Sequence, residues 1–294
     1  MLWSASIGTI EQGLVYGIMA LGVYITFRIL DFPDLTVDGS FPLGAAVAAK
    51  IISNGGSPIW GSIVAIGAGC LAGLLTGVLN TKLKISGLLA GILTMTGLYS
   101  VNLRVMGRAN IPLLRKPTII SWFGQQGMAP WVFFLLVLIL TKLLLDTFLK
   151  TEMGFALRAT GDNEQMPRSC GINTDTMKLL GLGLSNGLVA LSGALVAQYQ
   201  GFADVGMGIG TVVAGLASVI VGQALVRING LGWATFGVIL GSVVYRLAIF
   251  VALRMGLEPT DLRLITAVLV VIALSGPTWK GIGEKLQRGK SRAS

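Results

Sequence analysis

Long apolar blocks alternate with short polar breaks along this chain. A membrane-spanning helix needs about 20 mostly apolar residues. Blocks of that kind lie at 7–27, 37–53, 58–80, 85–106, 130–149, 178–200, 208–226, 231–253 and 261–276. The pattern predicts an all-α polytopic membrane protein with about nine transmembrane helices, within a range of about eight to ten. Two blocks, 37–53 and 208–226, are short and read as broken or re-entrant. The chain 1–294 reads as a single transmembrane domain.

One polar segment interrupts the pattern, GFALRATGDNEQMPRSCGIN at 154–173. GFALRAT can form a short helix that Gly161 stops, because glycine tolerates the left-handed conformation past a helix end. Asp162 and Asn163 are good N-cap types for a second helix, and Glu164 in its first turn complements the positive helix end. Pro167 is tolerated in a first turn. Arg168 follows, and Gly171 stops the helix. The expected product is a capped helix of about two turns, too short to persist alone. The segment 151–177 therefore reads either as a docking element for a partner surface or as an ordinary solvated loop.

The text also repeats. GLVYGIMALGVYITFRILDFPDLTVDGS starts at Gly13 and GLVALSGALVAQYQGFADVGMGIG at Gly187. FPDL sets against FADV once four residues are skipped. The copies begin an odd number of spans apart, so repeat one (about 7–106) and repeat two (about 178–276) would be inverted in the membrane. Inverted repeats with short elements at matching places point to a transport pathway near the midplane. Gly69, Gly73 and Gly77, like Gly237 and Gly241, sit four residues apart, a spacing that lets helix backbones approach closely.

Composition narrows the class further. The chain is 53% hydrophobic and 12% charged, with mean hydropathy +0.79, against about 25% charged in soluble domains. It has no histidine, and the middles of the spans hold almost no carboxylates. No catalytic cluster and no metal site is expected. Cys70 and Cys170 make no disulfide framework. The formal charge of +9 reads as cytoplasmic loops and a basic tail at 277–294 rather than nucleic-acid binding. No cleavable signal is evident, so the first run reads as a retained span. Counting spans back from the tail puts 151–177 in the cytoplasm and the N-terminus outside. The loop 104–129, with Arg104, Arg108, Arg115 and Lys116, runs against that count.

The order GFALRATGDNEQMPRSCGINTDTMK resembles the cytoplasmic signature of permease subunits of bacterial ABC importers, in the branched-chain amino acid and ribose type family. Arg158, Gly161, Asn163, Gly171 and Ile172 match its pattern. Pro167 stands about where the family has alanine. The stretch DFPDLTVDGSFPLGAAVAA and the run ending AGLASVIVGQAL extend the likeness, with Gln223 where a second glycine is usual. The resemblance implies that 154–172 is a cytoplasmic coupling helix seated in an ABC ATPase subunit. It implies a second permease copy, an extracytoplasmic solute-binding protein, and a place in the bacterial cytoplasmic (inner) membrane among lipid. ATP and Mg would sit on the ATPase partners, with no cofactor on this chain. The chain agrees in having no P-loop: Gly283 to Gly289-Lys290-Ser291 has one residue too many and no strand before it.

Polar groups inside spans usually face a cavity or a partner. Asp38, Asn186, Gln198, Gln223 and Arg246 are the pathway candidates. Asp38 can cap its own helix or line a pathway mouth. Asn186, Gln198 and Gln223 can bond between helices. Arg246 can snorkel, pair with Glu258 or Asp261, or meet a substrate carboxylate. The expected cargo is an amino acid, branched-chain or aromatic, with a sugar or nucleoside as the alternative. An ion-coupled secondary transporter would need buried carboxylates near the midplane.

Overall fold

The computed structural model describes residues 2–114, 116–125, 127, 129–226 and 230–255. The block at 261–276, the tail 277–294, Glu258 and Asp261 lie outside the described residues. In chain order the helices are α1 (Leu2–Tyr24), which continues through a π-helical turn (Ile25–Ile29), α2 (Val37–Ser53), α3 (Pro58–Thr81), α4 (Gly87–Met106), α5 (Ile119–Gln125), α6 (Pro130–Lys150), α7 (Glu152–Asp162), α8 (Gln165–Ser169), α9 (Thr174–Gln200), α10 (Thr211–Leu225) and α11 (Leu231–Arg254). A 3₁₀ turn (Val205–Gly208) precedes α10. Two short strands, β1 (Asn110–Pro112) and β2 (Phe202–Asp204), pair antiparallel, a contact the apolar pattern did not announce.

The protein is all-α and polytopic. Each apolar block before residue 255 holds a helix. Among the described residues, seven helical stretches are long and apolar enough to cross a membrane. The eighth, α2, has 17 residues and is short, as its block is. Local chemistry sets many of the ends. Pro58 and Pro130 open α3 and α6, where a missing N–H costs nothing. Gly107 and Gly201 close α4 and α9 in the left-handed conformation, φ 72° and 77°, as C-terminal glycines do.

Helix α9 forms the centre, packed by α1, α2 and α3. The Gly69, Gly73 and Gly77 stripe of α3 faces it. A Cβ on Gly73 would collide with the Leu182 carbonyl, so the backbones can touch only because that side chain is absent. Gly237 and Gly241 play the same part between α11 and α10.

The helix ends form two faces. On one lie α7, α8, the end of α1 and the starts of α9 and α11, since Leu231 shares a cavity with Arg28 and Arg158. On the other lie the β1–β2 pair and α5, where the Gln198 side chain bonds Ile119 and Ser62.

Candidate functional site

Two short helices meet inside the bundle, α2 with 17 residues and α10 with 15. Helix α2 starts at the depth of Asn186, midway along α9, and runs towards the β1–β2 face. Helix α10 starts beside Asp38 and runs towards the α7–α8 face. Their N-termini converge. Asp38 stands in the first turn of α2, yet its carboxylate caps the other helix. It accepts from Gly210 N (3.1 Å), Val212 N (2.8 Å) and Thr211 Oγ1 (2.8 Å). Self-capping was one expected role; the correction is that the partner helix receives the cap. A carboxylate at a helix N-terminus satisfies orphan donors and meets the positive end of the dipole.

Asp34, on the connection before α2, is fully buried. It accepts from Thr36 N (2.9 Å) and from Asn186 Nδ2 (2.7 Å). Asn186 Oδ1 in turn accepts from Ser40 Oγ (2.6 Å). Beside this group, hydroxyls link α2, α3 and α4: Thr36 to Thr76 (2.7 Å) and Thr76 to Thr94 (2.9 Å). Buried polar groups must be paired, and here they pair across helices, which fixes where α2 starts. Sequence reading named Asn186 and missed Asp34, Thr36, Ser40, Thr76 and Thr94. The expectation of almost no buried carboxylates also needs correction. Asp34, Glu11 and Asp146 are all buried. Glu11 accepts from Tyr199 (2.8 Å), and Asp146 accepts from Thr235 (2.7 Å) and pairs with Lys142.

The remaining pathway candidates do not gather at one point. Gln198 bonds between helices near the β1–β2 face. Gln223 is half-buried in α10 beside Gly222, which packs on Gly237. The Arg246 guanidinium lies 3.4 Å from the Tyr16 ring centroid, a cation–π contact. Its Nε has no hydrogen-bond partner among the described residues.

On the α7–α8 face the segment differs from its sequence reading at Gly161, Asp162 and Glu164 and in the length of α8. Gly161 does not stop a helix. It lies inside α7, which runs on to the exposed Asp162. Its function is approach: a Cβ there would collide with the Ile29 carbonyl at the π-helical end of α1. Asn163 then ends α7 in extended backbone, and its Oδ1 accepts from Gln165 N (2.9 Å), opening α8. At five residues, α8 is shorter than expected. Pro167 is buried in its first turn, where it costs no helical bond. Gly171, φ 81°, closes it, with Ile172 N donating to Pro167 O (2.9 Å). Glu164 makes no cap bond; it pairs with Lys178 and, at 3.4 Å, with Arg168. Arg168 also donates to Thr174 (2.7 Å) and pairs with Asp175 (3.5 Å). These ties hold α8 against the start of α9. Ile172 packs against the core.

Arg158 is half-buried, with its guanidinium 5.4 Å from the Phe155 ring centroid. With Arg28, Tyr24, Met166 and Leu231 it lines an open cavity of about 620 Å³. Phe155 and Met166 are 63% and 58% exposed. The face thus presents apolar side chains beside two arginines, a combination suited to a protein partner.

An all-α bundle with seven helical stretches long and apolar enough to cross a membrane among the described residues is that of a multi-pass membrane protein. Residues 7–275 match the family described as branched-chain amino acid transport system / permease component, and the chain belongs to that family. It is 48% identical over 272 residues to a tyrosine transport system permease protein of Clostridioides difficile, covering 92% of this chain and 91% of that protein. An uncharacterized protein of Rickettsia prowazekii is 37% identical, with 92% and 96% covered. The galactofuranose transporter permease protein of Escherichia coli is 28% identical, with 67% and 57% covered. Among solved structures, PsaBC from Streptococcus pneumoniae in complex with Fab aligns with a TM-score of 0.55 at 17% identity, over 90% of this chain and 89% of that one. That likeness shows the fold.

Proposed function

We propose that this chain is the membrane-spanning permease subunit of an ATP-driven ABC importer in the bacterial cytoplasmic membrane. Two copies form the pathway. ABC ATPase subunits, carrying ATP and Mg, dock on the α7–α8 face, and an extracytoplasmic solute-binding protein delivers the cargo at the opposite face. Closure of the ATPases drives alternating access, and the chain does no covalent chemistry. The cargo is an amino acid of branched-chain or aromatic type, in line with the tyrosine transport relative. The observation that carries the reading is the α7–α8 face. A short helix braced by ion pairs carries the exposed Met166 and stands beside the exposed Phe155 and the half-buried Arg158.

The two connections at 31–36 and 201–206 support inverted repeats. Asp31 and Gly201 both adopt positive φ (49° and 77°). Asp34 and Asp204 each accept from the backbone N–H two residues on.

The test is uptake by the reconstituted complex. Arg158→Glu with Met166→Asp is expected to abolish ATP-driven amino acid uptake and co-purification of the ATPase, while the chain still inserts. These two positions serve better than Glu164, whose pairs are internal. Unchanged uptake in the double variant, or uptake without any ATPase, sinks the reading.

A further inference from the structure

Arg246 carries a charge inside α11, well short of the helix end at Arg254, in a span of mean hydropathy 2.2. An arginine stays protonated in a protein, and an ionisable group inside a span marks a functional site by default. Among the described residues no carboxylate pairs with it. The carboxylates of α1 and α2, Glu11 and Asp38, are engaged elsewhere, by Tyr199 and by the start of α10.

The side chain does not run out to the nearer end of its helix. α1 and α11 are antiparallel, since α1 ends and α11 starts on the α7–α8 face. Ser242, one turn before Arg246, donates to Gly13 O (2.9 Å) and lies beside Gly17. Tyr16 is therefore level with Ser242. To lie on its ring, 3.4 Å from the centroid, the guanidinium turns back along α11, away from Arg254. The ring is braced in turn. It stacks on Phe41 at 5.6 Å, and Phe41 is fully buried where its carbonyl meets Gly193 of α9.

Stacking uses the flat face of a guanidinium and leaves its in-plane N–H groups for hydrogen bonds. Nε of Arg246 is closed off without a partner. The two terminal Nη groups also lack partners among the described residues and are not closed off, so they are the donors a ligand can reach. A planar fork of donors fits a carboxylate, which takes two parallel bonds from it. An ammonium group is repelled. We propose that Arg246 binds the carboxylate of the transported amino acid, with Tyr16 holding the plane of the fork. As a cargo subsite it rests on the importer reading; as a carboxylate site it does not.

The test is saturation-transfer NMR on the full chain in phosphatidylcholine nanodiscs with three probes: L-tyrosine, 3-(4-hydroxyphenyl)propanoate and tyramine. The two carboxylates are expected to bind saturably, and tyramine, which has none, at least tenfold more weakly. Arg246→Met keeps the length and removes the charge, and is expected to weaken L-tyrosine at least tenfold. Arg246→Lys, a cation without the fork, is expected to fall between. In the reconstituted complex Arg246→Met is expected to lower amino acid uptake at least tenfold while the ATPase still co-purifies. Equal binding of tyramine and L-tyrosine, no saturable binding of either carboxylate, or full L-tyrosine binding in Arg246→Met overturns the proposal. So does recovery of uptake when Glu258→Gln or Asp261→Asn is added to Arg246→Met, which would make the arginine half of a structural ion pair. Carboxylate binding by the unaltered chain without ATP-driven uptake would count against the importer reading alone.

Discussion

The connection from α1 to α2 and the connection from α9 to α10 begin alike. Each has a residue at positive φ, then Phe, one residue, and an aspartate that accepts from the N–H two positions on. Their surroundings differ. Asp34 is sealed inside the bundle and its second oxygen takes the Asn186 amide from α9. Asp204 lies at the β1–β2 face, and its second oxygen takes the exposed Asn110 amide at 3.3 Å. The same turn chemistry thus makes a buried junction in one half and a surface cap in the other. A turn motif sets local direction, and its burial decides how much energy rides on it.

That comparison can be broken in steps. Asp34→Ala should have the largest effect. It leaves Thr36 N buried without its acceptor and frees one of the two Asn186 Nδ2 hydrogens, the other staying on Leu182 O (3.0 Å), at about 1–3 kcal/mol for each lost partner. The melting temperature in detergent should fall sharply, and uptake by the reconstituted complex should be lost with it. Next comes Gly201→Ala. Placing a side chain at φ 77° costs about 1–2 kcal/mol, read as a smaller drop in melting temperature. Asp204→Ala should be mildest, about 1 kcal/mol for one lost cap, with uptake retained. If Asp204→Ala destabilises as much as Asp34→Ala, burial is not what separates the two connections.

Much of the fold was legible along the chain because its signals are local. Runs of apolar residues show as helices whatever packs around them. Pro58, Pro130 and Gly171 act through their own backbones. Glycine spacing on α3 announced close packing, though not that α9 was the neighbour. The α7–α8 segment was legible as two capped pieces around Asn163. Gly161 was misread because a helix-stopping glycine and a close-approach glycine look the same in text; the Ile29 carbonyl opposite it tells them apart.

The polar core was nearly invisible. Thr36, Ser40, Thr76 and Thr94 are single hydroxyls in apolar text, and such residues commonly bond their own helix backbone. Asp34 stands between two apolar blocks, where nothing along the chain marks it as buried.

By itself the sequence determined that this is an all-α membrane protein, where its helices run, where several of them stop, and which polar segment stands apart. Those properties depend on hydrophobic length and backbone preference over a few neighbouring residues. Only the tertiary structure decided that Asp38 caps α10, that Asp34 holds Asn186, and that Gly161 receives the end of α1. The first two join residues 172 to 174 and 152 positions apart. A hydrogen bond or a close approach acts through a few ångströms of space, and neither leaves a mark on the chain between its partners.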